Sequence, residues 1–169
     1  MRAVVRQVCT GPFSFANLRF DSTMGRKSMS AESNLAALQS AYRNWHGTKG
    51  GNVDEILDLF ADDIQMHSAL SGDVPSAVAG VHIKKDQARD YFEGLLRDWE
   101  MIFYEVDRYI VDTSGDEIVM VGRCSFRNKA TGRTLETPKV DVCTFRDGRI
   151  VRFQECYDTL SFAQALGHV

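Results

Sequence analysis

The stretch KVDVCTFRDGRIVRFQECYDT, Lys139 to Thr159, sets two apolar, strand-like runs on either side of Arg146-Asp147-Gly148. Asp and Gly are turn-forming residues, so the stretch reads as a β-hairpin. Each run nonetheless carries an acid, Asp141 in the first and Glu155 in the second. A cavity behind the sheet would account for acids in segments that otherwise read as core. Whether the acids meet depends on the turn. A three-residue loop with Gly148 left-handed pairs Phe145 with Arg149, which sets Asp141 opposite Phe153 and Lys139 opposite Glu155, all four on one face. A two-residue turn at Asp147-Gly148 shifts the register by one and points Glu155 away from Asp141.

Three further strand-like runs precede the last one, MIFYEVDRYIVD, EIVMVGRCSFRN and TLETPKVDVCTF, separated by Ser-Gly-Asp and Ala-Thr-Gly-Arg. Helical patterns come before them. Leu35, Leu38, Tyr42 and Trp45 recur at steps of three and four, which sets them on one helix face. GTKGGN ends that helix, and Asn52 followed by Glu55 has the form of a helix start, leading through Ile56, Leu57 and Phe60. Asp62-Asp63 is expected to close this second helix, and a short strand follows around Ile64 to Leu70. SGDVPSAVAG reads as a loop. A third helix spans roughly Lys84 to Trp99, with Ala88, Tyr91, Phe92, Leu95 and Leu96 on its apolar side. Helices followed by an antiparallel sheet is the α+β pattern.

The first 30 residues show no periodicity and no secretory signal, and are expected to be a tail outside the core, with residues 31–169 forming one domain. Met24 and Met29 offer alternative starts. The chain has 169 residues, 44% hydrophobic and 25% charged, with a net charge of -3, so it carries no electrostatic footprint for nucleic acid or anionic membrane. No apolar run approaches the roughly 20 residues that span a bilayer. Cys9, Cys124, Cys143 and Cys156 show no CxxC spacing and read as reduced thiols of a cytoplasmic protein. His46, His82 and His168 have no ligand spacing with a carboxylate or cysteine, so neither a metal site nor a cofactor is expected.

VDEILDLFADDI, ATGR before a long strand, and VDVCTFRDGRIVRFQECYDT, in this order and spacing, resemble the nuclear transport factor 2-like superfamily, in particular its SnoaL-like and ketosteroid isomerase-like branch. The resemblance covers about Leu35 to Leu166. It implies a cystatin-like cone, a half-barrel in which three N-terminal helices pack on a strongly curved, mainly antiparallel sheet that opens at one end to an apolar pocket. The three-residue loop also sets Val151, Phe153 and Tyr157 on the concave side with the family's pocket residues, which favours it.

The resemblance carries over residue by residue. VDV sets Asp141 at the position of the isomerases' protonated, oxyanion-binding aspartate, and Tyr42 is the first-helix tyrosine. Ser68 stands where the isomerases have their base, with His67 just before it, and a neutral serine takes no proton from carbon without a base of its own. The resemblance therefore implies Asp141, kept protonated by apolar surroundings, and Tyr42 or Tyr157 as hydrogen-bond donors, with His67 or Glu155 as base. Trp45, Phe60, Met66, Ser68, Phe92, Cys143, Phe153 and Tyr157 are expected to line the pocket. Set against these roles, Glu155 can simply pair with Lys139, Tyr42 and Trp45 can be core, and Asp158 can bond local backbone.

The function expected is a small-molecule pocket protein of SnoaL-like type, a cofactor-independent isomerase- or cyclase-like enzyme for an apolar carbonyl or cyclic substrate. A non-catalytic ligand-binding or dimerisation module, and an epoxide-hydrolase-like or dehydratase activity, are the alternatives. The family also implies a homodimer through the outer sheet face, with Val140, Val142 and Ile150 as outward candidates.

Overall fold

The computed structural model describes residues 31–70 and 72–168. The expected tail, with Cys9, Met24 and Met29, lies outside the described residues. In chain order the elements are α1 (Ala31–Gly47), α2 (Val53–Leu59), β1 (Phe60–His67), β2 (Val81–Ile83), α3 (Lys85–Asp98), β3 (Trp99–Val111), β4 (Glu117–Asn128), β5 (Thr134–Arg146), β6 (Arg149–Cys156) and α4 (Thr159–Leu166). The apolar stripe of α1 buries Leu38, Ala41, Tyr42 and Trp45, and that of α3 buries Ala88, Tyr91, Phe92 and Leu95. Both stripes pack on one curved sheet of order β2-β1-β6-β5-β4-β3. This is the α+β architecture read from the sequence. The sheet is antiparallel except where β1 lies parallel to β6.

Three local readings change. Phe60 and Asp62-Asp63 belong to β1 rather than to the second helix: Phe60 pairs with Ile150 and is almost fully buried. Asn52 makes no side-chain cap. Its Nδ2 instead donates to Ala41 O (3.1 Å) and Glu55 Oε2 (3.0 Å), tying α1 to α2. A helix absent from the sequence reading, α4, follows β6. Asp158 caps it by accepting from Leu160 N (3.0 Å) and Ser161 N (3.1 Å), and Phe162 packs 4.7 Å, ring to ring, from Trp99.

The hairpin between β5 and β6 also differs from the favoured three-residue loop. Asp147 (φ 53) and Gly148 (φ 76) form a two-residue turn with both φ positive, closed by Arg146 and Arg149. This turn matches the natural twist of paired strands. Alone it would turn Glu155 away from Asp141, but Phe145 pairs with Ile150 while Thr144 pairs with Arg152. Val151 is thus an extra residue, a β-bulge that restores the parity. Asp141 ends directly opposite Glu155. Ile150, expected on the outer face, is turned inward and only 1% exposed.

Two further bulges, after Met101 and after Val106, bend β3 over β4. Gly122, which pairs with Val106 on one side and Lys139 on the other, allows that bend. A Cβ there would lie 2.1 Å from Glu105 O and 3.0 Å from Val106 Cα, both backbone atoms with no freedom to swing aside. Gly122→Ala is therefore expected to cost about 1–3 kcal/mol, the range of an overpacked core. Urea denaturation measures it, and an unchanged midpoint would contradict the close approach.

Candidate functional site

Alternation along β5 buries Leu135, Thr137, Lys139, Asp141, Cys143 and Phe145. Lys139 and Asp141 therefore face the helices, and the bulge in β6 brings Glu155 beside them. The relative exposures are 5%, 0% and 4%, which leaves these charges to satisfy one another. The Lys139 Nζ lies 2.5 Å from Glu155 Oε2 and 2.8 Å from Asp141 Oδ1. Tyr42 from α1 and Tyr104 from β3 both donate to Asp141 Oδ2 at 2.6 Å, with their rings stacked 5.6 Å apart. Tyr91 from α3 donates to Glu155 Oε1 at 2.6 Å. The Lys139 Nζ also stands 5.1 Å from the Tyr157 ring centre, within cation–π range. One ammonium, two carboxylates and three donating tyrosines thus form one network across two helices and three strands.

The network walls one part of a mainly apolar cavity of about 80 Å³. At roughly 10–15 Å³ per water, that is space for about half a dozen waters, or one small ring. Leu38, Trp45, Phe60, Phe92, Trp99, Phe126 and Phe153 contribute to the remaining wall.

Electrostatics follow from burial. Burial, reinforced by the facing carboxylates, pushes the hydroxyls of Tyr42, Tyr91 and Tyr104 well above the usual tyrosine range. For Lys139 burial is the largest single influence and acts downward, but Asp141 and Glu155 together outweigh it and hold the ammonium above its ordinary value. The Cys124 thiol in the cavity wall is pushed up to about 12, chiefly by burial, so it is no nucleophile at neutral pH.

Of the residues singled out from sequence, Tyr42, Asp141, Glu155, Trp45, Phe60, Phe92, Phe153 and Tyr157 come together around the cavity. His67, Met66, Ser68 and Cys143 are not part of its lining. Met66 and Cys143 are fully buried core. Ser68 stands behind Tyr157, its Oγ 3.0 Å from the phenol oxygen. His67 is half-buried in the ladder between Gln154 and Val81, and burial, then Arg152, depresses its pKa. Asp141 accepts two tyrosine hydrogen bonds, whereas the sequence reading made it a donor. Tyr104 and Tyr91 escaped that reading. Tyr91 was visible only as one of several apolar positions on α3, and the bulges in β3 defeat a simple parity argument for Tyr104. Among the described residues no group of three His, Cys, Asp or Glu side chains could hold a metal ion, and no helix is long and apolar enough to cross a membrane.

Lys139→Met would leave two buried carboxylates facing each other without a cation. The expected loss is about 3–5 kcal/mol, read by chemical denaturation; a loss below about 1 kcal/mol would mean that the triad is not an ion network. The pH dependence has a definite sign. Tyr42, Tyr91, Tyr104 and Lys139 have folded pKa values raised above their unfolded ones. Their contribution is complete below the unfolded values of about 10 and is lost as pH climbs through the folded values. Stability should fall above about pH 10, and Tyr104→Phe should make the fall shallower by about 1.4 kcal/mol per pH unit. Stability unchanged through about pH 11 would contradict this assignment.

The family model described as "SnoaL-like domain" matches residues 38–153. No curated protein matches the chain. Solved structures do. A nuclear transport factor 2-like protein from Burkholderia xenovorans is 23% identical, covers 81% of this chain and 98% of its own, and superposes with a TM-score of 0.66. A candidate isomerase from Bacillus subtilis is 17% identical, over 83% of this chain and 98% of its own, at a TM-score of 0.65. A candidate SnoaL-like polyketide cyclase from Jannaschia is 16% identical, over 87% of this chain and 99% of its own, also at 0.65. At these identities the structures speak for the fold alone, a curved sheet packed with helices. The family match spans more than half of the sequence and includes Tyr42, Lys139 and Asp141, so the chain belongs to the SnoaL-like domain family.

Proposed function

We propose that this protein holds a small ring-containing molecule in its cavity and carries out cofactor-independent acid–base chemistry on it, of the isomerase or cyclase kind. One observation carries the reading. A buried carboxylate, Asp141, lines an apolar cavity with its Oδ2 fixed by two tyrosines, while its Oδ1 has no hydrogen-bond partner. The Lys139 Nζ stands 2.8 Å from Oδ1 as its ion-pair partner. In this reading Asp141 Oδ1 is the base that removes and returns a ligand proton. Tyr42 and Tyr104 aim the carboxylate, and Lys139 balances its charge. Glu155, held by Lys139 and Tyr91, positions the lysine. His67 takes no part, since it is not in the lining. Other members of the fold named as candidate isomerases or polyketide cyclases support the class of chemistry by analogy.

A binding module without catalysis is the second reading, favoured by the contacts that Lys139 and the three tyrosines make with the two carboxyl groups. Deuterium uptake separates the two. Incubation in D2O with small cyclic ketones and cyclic imines, followed by NMR, should show protein-dependent exchange at carbon. Asp141→Asn should lower it at least 100-fold, within the range for loss of a general base, while the uncharged ketones still bind. No exchange above buffer, or equal exchange by the variant, would favour the binding module.

The family-implied homodimer remains part of the proposal. Val140 and Val142 on the outer face pair with Val121 and Val119 of β4, and all four valines are half-buried. Sedimentation at micromolar concentration should give a dimer that Val142→Glu dissociates. A monomeric wild type would rule this surface out.

A further inference from the structure

We propose that the cavity takes a cationic ligand, a small apolar ring bearing a protonated amine whose N–H groups meet Asp141 Oδ1. This inference rests on the cavity's being a ligand site and adds the class of ligand. Charge is the first support. Among the described residues Lys139 is the one cation in the lining, and it faces two carboxylates, Asp141 and Glu155. A buried wall that sets two carboxyl groups against one ammonium favours a further positive charge beside them.

Hydrogen-bond capacity is the second support. The hydroxyl protons of Tyr42 and Tyr104 go to Asp141, and that of Tyr91 goes to Glu155. Tyr157 and Ser68 share one hydrogen bond. Lys139 is in contact with both carboxylates and with the Tyr157 face. The polar wall offers acceptors in the second lone pairs of the donating tyrosine oxygens and in the remaining lone pairs of Asp141 Oδ1, which the Lys139 ammonium approaches to 2.8 Å. Acceptors gathered beside two carboxyl groups suit an ammonium better than a carboxylate or phenolate. Trp45, Phe60 and Phe92 add ring faces, which attract cations.

Calorimetry at pH 7 with benzylammonium, benzyl alcohol and benzoate tests the inference on the wild-type protein. Benzylammonium should bind at least tenfold more tightly than benzyl alcohol, and benzoate most weakly. Asp141→Asn should lower the ratio of benzylammonium to benzyl alcohol affinity at least tenfold. If that variant does not fold, the wild-type ranking decides alone. Equal affinities, or benzoate as the tightest of the three, would overturn the cationic ligand and leave the cavity reading standing. Binding of none of the three would overturn both.

Discussion

The Lys139 ammonium, held between Asp141 and Glu155, is the interaction on which the rest of the interior depends. Each of the three would be prohibitive to bury alone, and together they are tolerable only if the remaining lone pairs are met with good geometry. Meeting them recruits Tyr42 from α1, Tyr104 from β3 and Tyr91 from α3. Helices and sheet are thereby fixed to one another by a polar knot inside an otherwise apolar core. Replacing such a network by apolar side chains is often neutral or stabilising in other proteins, so stability alone does not explain its presence. The proposed use of the cavity beside it as a ligand site would supply a second reason.

The fold delivers the network through irregularities rather than through its regular parts. The twist-matched turn at Asp147-Gly148 would separate the two acids, and the bulge at Val151 brings them back into register. Bulges in β3 and the bare backbone of Gly122 bend the sheet's far edge inward. Tyr104, between those bulges, reaches the same Asp141 oxygen as Tyr42 from the opposite layer. A SnoaL-like fold with a straight β3 would keep its core and lose this site.

The α+β architecture, the helix faces of α1 and α3, and the shared facing of Asp141 and Glu155 were legible in the sequence, because they rest on periodicity and on a family resemblance carried by long segments. The reason given for the acids' facing was not right. Periodicity counts residues, and a bulge adds one residue without any compositional mark. The same limit hid Tyr104. The helix α4 was missed because TLSFAQAL is short, although its capping Asp158 stood in plain view next to the Tyr157 ring. Lys139 was read as standing nearer to Glu155 than to Asp141. That it also meets Asp141 follows from the direct pairing of Asp141 with Glu155, which no local pattern encodes.

A buried, ionised lysine at the centre of the site is the central claim, and side-chain NMR of the lysines reads it directly. Correlating 13Cε and 15Nζ through an alkaline titration should show Lys139 as an ammonium that persists after the exposed lysines have lost their protons, with slow proton exchange. A Lys139 that titrates together with the exposed lysines, or before them, would mean that the two carboxylates do not hold it, and the account of the network and its cavity would fail.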